Sequence, residues 1–241
     1  MGNIIGMHRG KNIISNQLFM QQYKKDFIEL LVKAQALKFG EFTLKSGRIA
    51  PYFMNAGNFY TGELLNGLAK AYAEAFLDNK IDCDVIFGPA YKGIPLAATV
   101  TEELYDKFQK NVAYSFNRKE AKDHGEAGLL IGAPLNSETK VLLIDDVITA
   151  GTAIRETMDI LAKNGNPKVA GVLISFDRME KNNEGIGAIK AVENDFGIKV
   201  FSIVNIDDVV EVLYGKEVDG KVYIDDEKME LIKKYRAQYG A

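Results

Sequence analysis

Two adjacent carboxylates, Asp145 and Asp146, close an apolar run in the stretch VLLIDDVITAGTAIRE, and Val147, Ile148, Thr149, Ala150, Gly151, Thr152 and Ala153 follow directly. Neighbouring acids at the end of a buried strand cost several kcal/mol if nothing partners them. The glycine and threonines between a strand and a helix free backbone N–H groups at the positive end of a helix dipole, a cradle for an anion. Vicinal hydroxyls of a sugar would hydrogen-bond the acids while that cradle held the sugar's phosphate, so the stretch suits a phosphorylated ribose. Neither G-x-x-x-x-G-K-[ST] nor G-x-G-x-x-G is present, which weakens the nucleoside-triphosphate and dinucleotide readings. A plain strand-to-helix turn explains the glycine and leaves the acids unexplained.

Three further places carry charge at turns. In FGPAYKGIPLA, Gly88, Pro89 and Gly93 bracket Tyr91 and Lys92; glycines permit close backbone approach to an anion, and Lys92 adds a movable positive charge. The same residues would also make an ordinary tight turn with an exposed lysine. In FNRKEAKDHGEAGLLIGAPL, Arg118, Lys119, Lys122 and His124 lie in a polar segment with Gly125 and Gly128 that is too long for a minimal connection. Long structured segments of this kind are often lids, and a basic lid would neutralise a departing polyanion and exclude water. A solvated charged hairpin fits that composition as well. The last place pairs GEFTLKSGRIAPYFMNAG with SFDRME. Lys45, Arg48 and Phe53 there suit ordinary surface and core roles, whereas Arg178 can offer two parallel N–H donors to a carboxylate or carbonyl edge.

The elements that must position these residues alternate along the chain. Tyr23, Phe27, Leu30, Leu31 and Ala34 share one face of a helix opening near Met20, and short apolar and aromatic runs around Ser46-Gly47 read as a hairpin-like hood over about 20–60. From Thr61 helices alternate with the strands CDVIFGP, NVAYSF, VLLIDD, KVAGVLISF and KVFSIV. Strands that are apolar throughout imply a parallel sheet covered on both faces, hence a doubly wound α/β fold with ligands at the carboxyl ends of its strands. Two amphipathic helices near the C-terminus, NIDDVVEVLYG and DDEKMELIKKYRAQYG, take packing roles.

Composition sets the bounds. With 241 residues and 47% hydrophobic content the chain can bury one substantial domain, expected over 20–241. The net charge of −3, from 30 basic and 33 acidic residues, lacks the cationic excess that nonspecific nucleic-acid binding uses. No apolar run approaches the roughly 20 residues that span a bilayer, and one cysteine, Cys83, cannot form an intrachain disulfide. A reduced, cytoplasmic protein without nucleic-acid or membrane partners is expected. Met1 to Phe19 lack the apolar core of a secretory signal; they are read as an extension, disordered or tag-derived, with a targeting role left open.

VLLIDDVITAGTA closely resembles the phosphoribosyl-pyrophosphate (PRPP) motif of type I phosphoribosyltransferases. FTLKSGR, an aromatic pair near PYFMNAG, the basic segment and the FDR arginine resemble the orotate branch of that family, and the motifs occur in the family's order from about Met20 to the C-terminal helix. The resemblance implies the type I phosphoribosyltransferase fold and Mg²⁺-dependent transfer of 5-phosphoribosyl from PRPP to orotate, yielding orotidine 5′-monophosphate and pyrophosphate in pyrimidine synthesis. It assigns Lys45, Tyr91, Lys92, Arg118, Lys119, Lys122, His124 and the run from Asp145 to Ala153 to PRPP. Among these, Lys119, Lys122, His124, Asp145 and Asp146 are the catalytic set. It assigns Lys45, Phe53, Met54, Thr149 and Arg178 to orotate, with Met54 standing where many relatives carry a second Phe. It makes 117–132 a mobile catalytic loop that reaches a neighbouring subunit's site, so a homodimer with shared active sites is expected. Mg²⁺ would be held mainly by PRPP and water.

Two rivals remain at the level of sequence. A purine or another pyrimidine base could be the acceptor, against which the hood and Arg178 argue. A PRPP-sensing regulator would keep the cradle, against which the intact basic segment and the lack of a recognisable DNA-binding segment argue. A fused decarboxylase barrel, which needs about 250 residues of its own, has no room.

Overall fold

Helix α1 (Gln22–Lys33) forms because its apolar residues recur on one face: Phe27, Ile28, Leu31 and Val32 are buried, and Tyr23 and Leu30 pack beside them. In this computed structural model the described residues are 20–44, 46–122, 128–182 and 184–241, with Ala121 and Lys122 described in backbone only. Among the sequence assignments, Lys45, His124 and the Lys122 side chain therefore lie outside the described residues. So does the extension over 1–19.

The hood follows as an antiparallel pair, β1 (Leu37–Thr43) and β2 (Ile49–Met54), with an irregular register between Phe39 and Phe42. Thr61 then caps α2 (Gly62–Asp78), its hydroxyl accepting from the Leu64 N–H at 3.3 Å. From there strand and helix alternate: β3 (Val85–Phe87), α3 (Gly93–Phe108), β4 (Ala113–Lys122), β5 (Gly128–Gly132), β6 (Lys140–Asp145), α4 (Thr152–Lys163), β7 (Lys168–Asp177), α5 (Ala188–Phe196), β8 (Val200–Asn205) and α6 (Ile206–Leu213). A small pair, β9 (Glu217–Val218) with β10 (Lys221–Val222), precedes the last helix, α7 (Asp226–Tyr239). None of these helices is long and apolar enough to cross a membrane.

The central sheet has the order β5-β4-β3-β6-β7-β8, parallel from β4 to β8. Along β6, Leu142 and Ile144 enter the core shared with α1, α2, α3, α6, α7 and the hood, while Val141 and Leu143 enter the core shared with α4 and α5. Both faces are covered, which is why the strand reads as continuously apolar. The doubly wound α/β class expected from the sequence is the fold observed.

One strand departs from expectation. The basic segment, expected as a loop over 117–132, is strand on both flanks: β4 runs to Lys122, and β5 returns antiparallel to it as the sheet's edge. The reason is local. Ser115 and Asn117 alternate inward along β4, the Ser115 hydroxyl donates to the Ile131 carbonyl at 2.9 Å, and Gly132 takes a φ of 100° against the Tyr114 carbonyl. An added Cβ on Gly132 would lie 2.4 Å from that oxygen.

Candidate active site

The order of the parallel strands puts the topological switch between β3 and β6, whose connections leave toward opposite edges of the sheet. Ligands of such sheets bind at the carboxyl ends of the strands at this point. Both sequence stretches with the strongest chemical pattern lie there: Gly88–Gly93 after β3, and Asp145–Gly151 after β6.

The first stretch is set by close backbone approach. A Cβ on Gly88 would fall 2.0 Å from the Gly93 carbonyl oxygen, and one on Gly93 would fall 2.6 Å from the Gly88 carbonyl carbon, so neither position admits a side chain. The Ala90–Tyr91 peptide is cis. Tyr91 is exposed, and Lys92, at the start of α3, reaches across the switch to donate to Asp146 Oδ2 at 2.9 Å. The lysine expected as a movable charge is thus paired with one of the two acids expected to bind the ligand.

The acidic pair is held from behind by two side chains that sequence reasoning missed. The Tyr72 hydroxyl, buried on α2, donates to the Asp145 carbonyl at 2.7 Å, and the Ser175 hydroxyl on β7 donates to the Asp146 carbonyl at 2.7 Å. The carboxylates make local contacts as well: Asp145 Oδ1 accepts from the Asp146 N–H, and Asp146 Oδ1 from the Val147 N–H, each at 2.9 Å. Burial and the neighbouring Asp146 charge push the Asp145 carboxyl up to about 6. Because the folded value exceeds the unfolded one, Asp145 adds stability below about pH 4, and that contribution is lost as pH rises through about 6. Asp145→Asn keeps the acceptor toward the Asp146 N–H and removes the charge. We expect it to raise stability at pH 8 by on the order of 1–2 kcal/mol, to give no gain at pH 4, and to lower activity. Thermal unfolding across that pH range checks this; equal effects at both pH values would contradict it.

The loop after Asp146 is anchored on one side and open on the other. Ile148 is buried in the α4–α5 core and Val147 packs against the opposite core, whereas Thr149, Ala150, Thr152 and Ala153 are exposed. Gly151 caps α4 with a φ of 72° and no side-chain cap, leaving the first N–H groups of the helix facing outward as the anion cradle requires. Arg155 pins the loop to α5 by donating to the Ala150 carbonyl at 2.6 Å and to Asp195 at 2.5 Å.

The basic segment begins within β4, next to the Gly88–Gly93 loop. Arg118 donates to the Gly128 carbonyl at 3.1 Å, closing the neck of the β4–β5 pair, and Lys119 is exposed. The ladder loses register between Asn117 and Lys122, so residues 118–121 bulge from the sheet.

The hood meets the end of β7 through Arg178. Its guanidinium is buried, donates to Glu180 Oε1 at 2.5 Å, approaches the Tyr52 carbonyl at 3.4 Å and lies 4.5 Å from the centre of the Tyr52 ring. The Tyr52 hydroxyl donates to the same Glu180 oxygen at 3.3 Å. Arg178 is therefore partly committed within the protein, where the sequence suggested a fork free for a ligand. Beside Tyr52, Phe53 is exposed and stacks on Phe42 at 5.6 Å, while Met54 is buried in the core. Glu180 stands in the quoted SFDRME stretch, so its proximity to Arg178 was the available signal; nothing in the apolar pattern of α2 distinguishes Tyr72 from core.

The phosphoribosyl transferase domain family matches residues 57–204. Orotate phosphoribosyltransferase from Photorhabdus laumondii is 53% identical over 221 residues, covering 92% of this chain and all of that protein. The protein of the same name from Colwellia psychrerythraea is 54% identical, again with 92% and 100% covered. The crystal structure of orotate phosphoribosyltransferase from Francisella tularensis superposes with a TM-score of 0.78 at 44% identity, over 89% of this chain and 99% of that one. The chain belongs to the orotate phosphoribosyltransferase family, a family of pentosyltransferases.

Proposed function

We propose that the protein transfers 5-phosphoribosyl from PRPP to orotate, giving orotidine 5′-monophosphate and pyrophosphate, as a cytoplasmic step of de novo pyrimidine (UMP) biosynthesis. The observation that carries the reading is the acidic pair Asp145–Asp146 set between the open N-terminus of α4 and Lys92. The cradle from Val147 to Ala153 holds the 5-phosphate, and the two carboxylates accept hydrogen bonds from the ribose hydroxyls. As the pyrophosphate leaves, positive charge grows on the ribose ring, and fixed carboxylates beneath it favour that transition state over the ground state. Lys92, Tyr91 and the basic residues Arg118, Lys119, Lys122 and His124 take the charge developing on the pyrophosphate. Neither acid acts as a general base in this scheme, since the orotate nitrogen attacks in its deprotonated form.

Orotate is held by Lys45, Phe53, Met54, Thr149 and Arg178. Its carboxylate supplies a further acceptor for the guanidinium that Glu180 and the Tyr52 carbonyl already orient. The donor set suits Mg²⁺. Among the described residues no group of three His, Cys, Asp or Glu side chains is gathered, yet Asp145 and Asp146 together offer hard oxygens, and burial together with the Asp146 charge raises the Asp145 carboxyl. The ion would be held mainly by PRPP and water, with the two carboxylates close by to favour its positive charge. When bound, Mg²⁺ supplies charge neutralisation for the pyrophosphate. The protein works as a homodimer in which the basic segment of one subunit completes the partner's site.

A panel of free bases with PRPP and Mg²⁺ tests the specificity. Orotate alone should be converted, and turnover of adenine, hypoxanthine or uracil at a comparable rate would overturn the assignment of the hood and Arg178.

A further inference from the structure

Asn117 is buried at 4% exposure and sits just past the end of the β3 ladder, where the register of β4 with β5 becomes irregular. Toward β3 the ladder ends at the pair Phe87 and Ser115, and toward β5 the regular register ends at Asn117 and Leu130. Beyond those points the Gly88–Gly93 loop has left the sheet, and the β4–β5 ladder is irregular until Lys122 meets Gly128. The Ser115 carbonyl still accepts from the Gly88 N–H at 3.0 Å. One residue pair further on, the Asn117 side chain takes over from the backbone: its Oδ1 accepts from the Ala90 N–H at 3.0 Å, and its Nδ2 donates to the Arg118 carbonyl at 3.1 Å.

We propose that Asn117 is a positioning residue for PRPP, its one buried amide setting the anion loop and the first basic residue in fixed relation so that they grip the pyrophosphate from two sides. The proposal rests on the reading that both segments contact pyrophosphate. The chemistry of the side chain fits the task closely. The Ala90 N–H needs an acceptor and the Arg118 carbonyl needs a donor, and a neutral amide of this length supplies both. An aspartate would meet the first need, fail the second and set another negative charge beside a polyanion. An alanine would leave a buried N–H and a carbonyl to find new partners, and loop shifts of this kind weaken catalysis far more than the lost bonds suggest.

The test compares wild type, Asn117→Ala and Asn117→Asp in steady-state kinetics, with binding of inorganic pyrophosphate read separately by calorimetry. Both variants should raise the KM for PRPP and the Kd for pyrophosphate about tenfold and lower kcat, leaving the KM for orotate within about twofold. A purely structural role would instead lower Tm and shift both substrates alike, or neither, and either pattern overturns the proposal. If Asn117→Ala fails to fold, the isosteric Asn117→Asp carries the comparison. If wild type converts no orotate, the functional reading fails by itself; unchanged pyrophosphate affinity in the variants would then overturn the role of Asn117.

Discussion

Asp146→Asn is expected to lower kcat by about 10²–10³-fold while moving the KM for orotate less than about threefold. The substitution is isosteric, and the amide oxygen still accepts from the Val147 N–H, so the loop and its Ser175 anchor stay in place. What disappears is one fixed negative charge beneath the ribose, which matters most when the ring becomes positive. Stability should change little, because the partner that loses its carboxylate, Lys92, has a side chain 59% exposed and can be hydrated. Equal losses in kcat and in orotate affinity, from steady-state kinetics at saturating PRPP, would contradict a role confined to the transition state.

Arg178→Ala is expected to have the largest effect on stability, about 3–5 kcal/mol, in addition to loss of orotate binding. The Arg178 and Glu180 side chains are only 7% and 14% exposed, so removing the cation leaves a carboxylate enclosed with the Tyr52 hydroxyl. Arg48, 4.0 Å from the other Glu180 oxygen, compensates in part. Adding Glu180→Gln to the single variant should recover a substantial fraction of the loss, since it removes the unpaired charge without restoring the orotate contact. Denaturant unfolding of the two single variants and the double variant forms the cycle. Full stability in Arg178→Ala would show that the pair contributes nothing, and no recovery in the double variant would show that packing of the guanidinium on the Tyr52 ring dominates.

The two predictions separate what was legible in the sequence from what was not. The DD pair followed by TAGT could be read because its chemistry is local: an acid pair at a strand end and an open helix start need only neighbouring residues. The doubly wound sheet was readable for a related reason, since burial on both faces leaves strands such as VLLI apolar at every position. The contacts that bring distant segments together were not readable. Tyr72 and Asp145 lie on α2 and β6, and their 2.7 Å bond exists only once both pack on one face of the sheet. The edge strand β5 was missed because GLLIG is short and follows a charged stretch that resembles a lid in composition. Lys92 and Arg178 were assigned to ligands by the family resemblance, yet each is paired with a carboxylate of the same chain. The sequence carries no sign of those ion pairs beyond proximity for Arg178.

The ion pair of Lys92 with Asp146 crosses the switch point. Lys92 donates to Asp146 at 2.9 Å, tying the β3 loop to the end of β6. The acidic pair with its raised Asp145 carboxyl, the glycines that tolerate no Cβ and the start of α4 without a side-chain cap all sit at the same switch point. Such a concentration of locally unfavourable features marks a site shaped for ligand and not for stability.

Phosphoribosyl transfer to orotate is followed most directly by orotate ultraviolet absorbance after the protein is mixed with PRPP and Mg²⁺, then again with the metal chelated. The account predicts metal-dependent loss of orotate with stoichiometric release of pyrophosphate. Persistent orotate absorbance in the presence of bound PRPP and Mg²⁺ would contradict it.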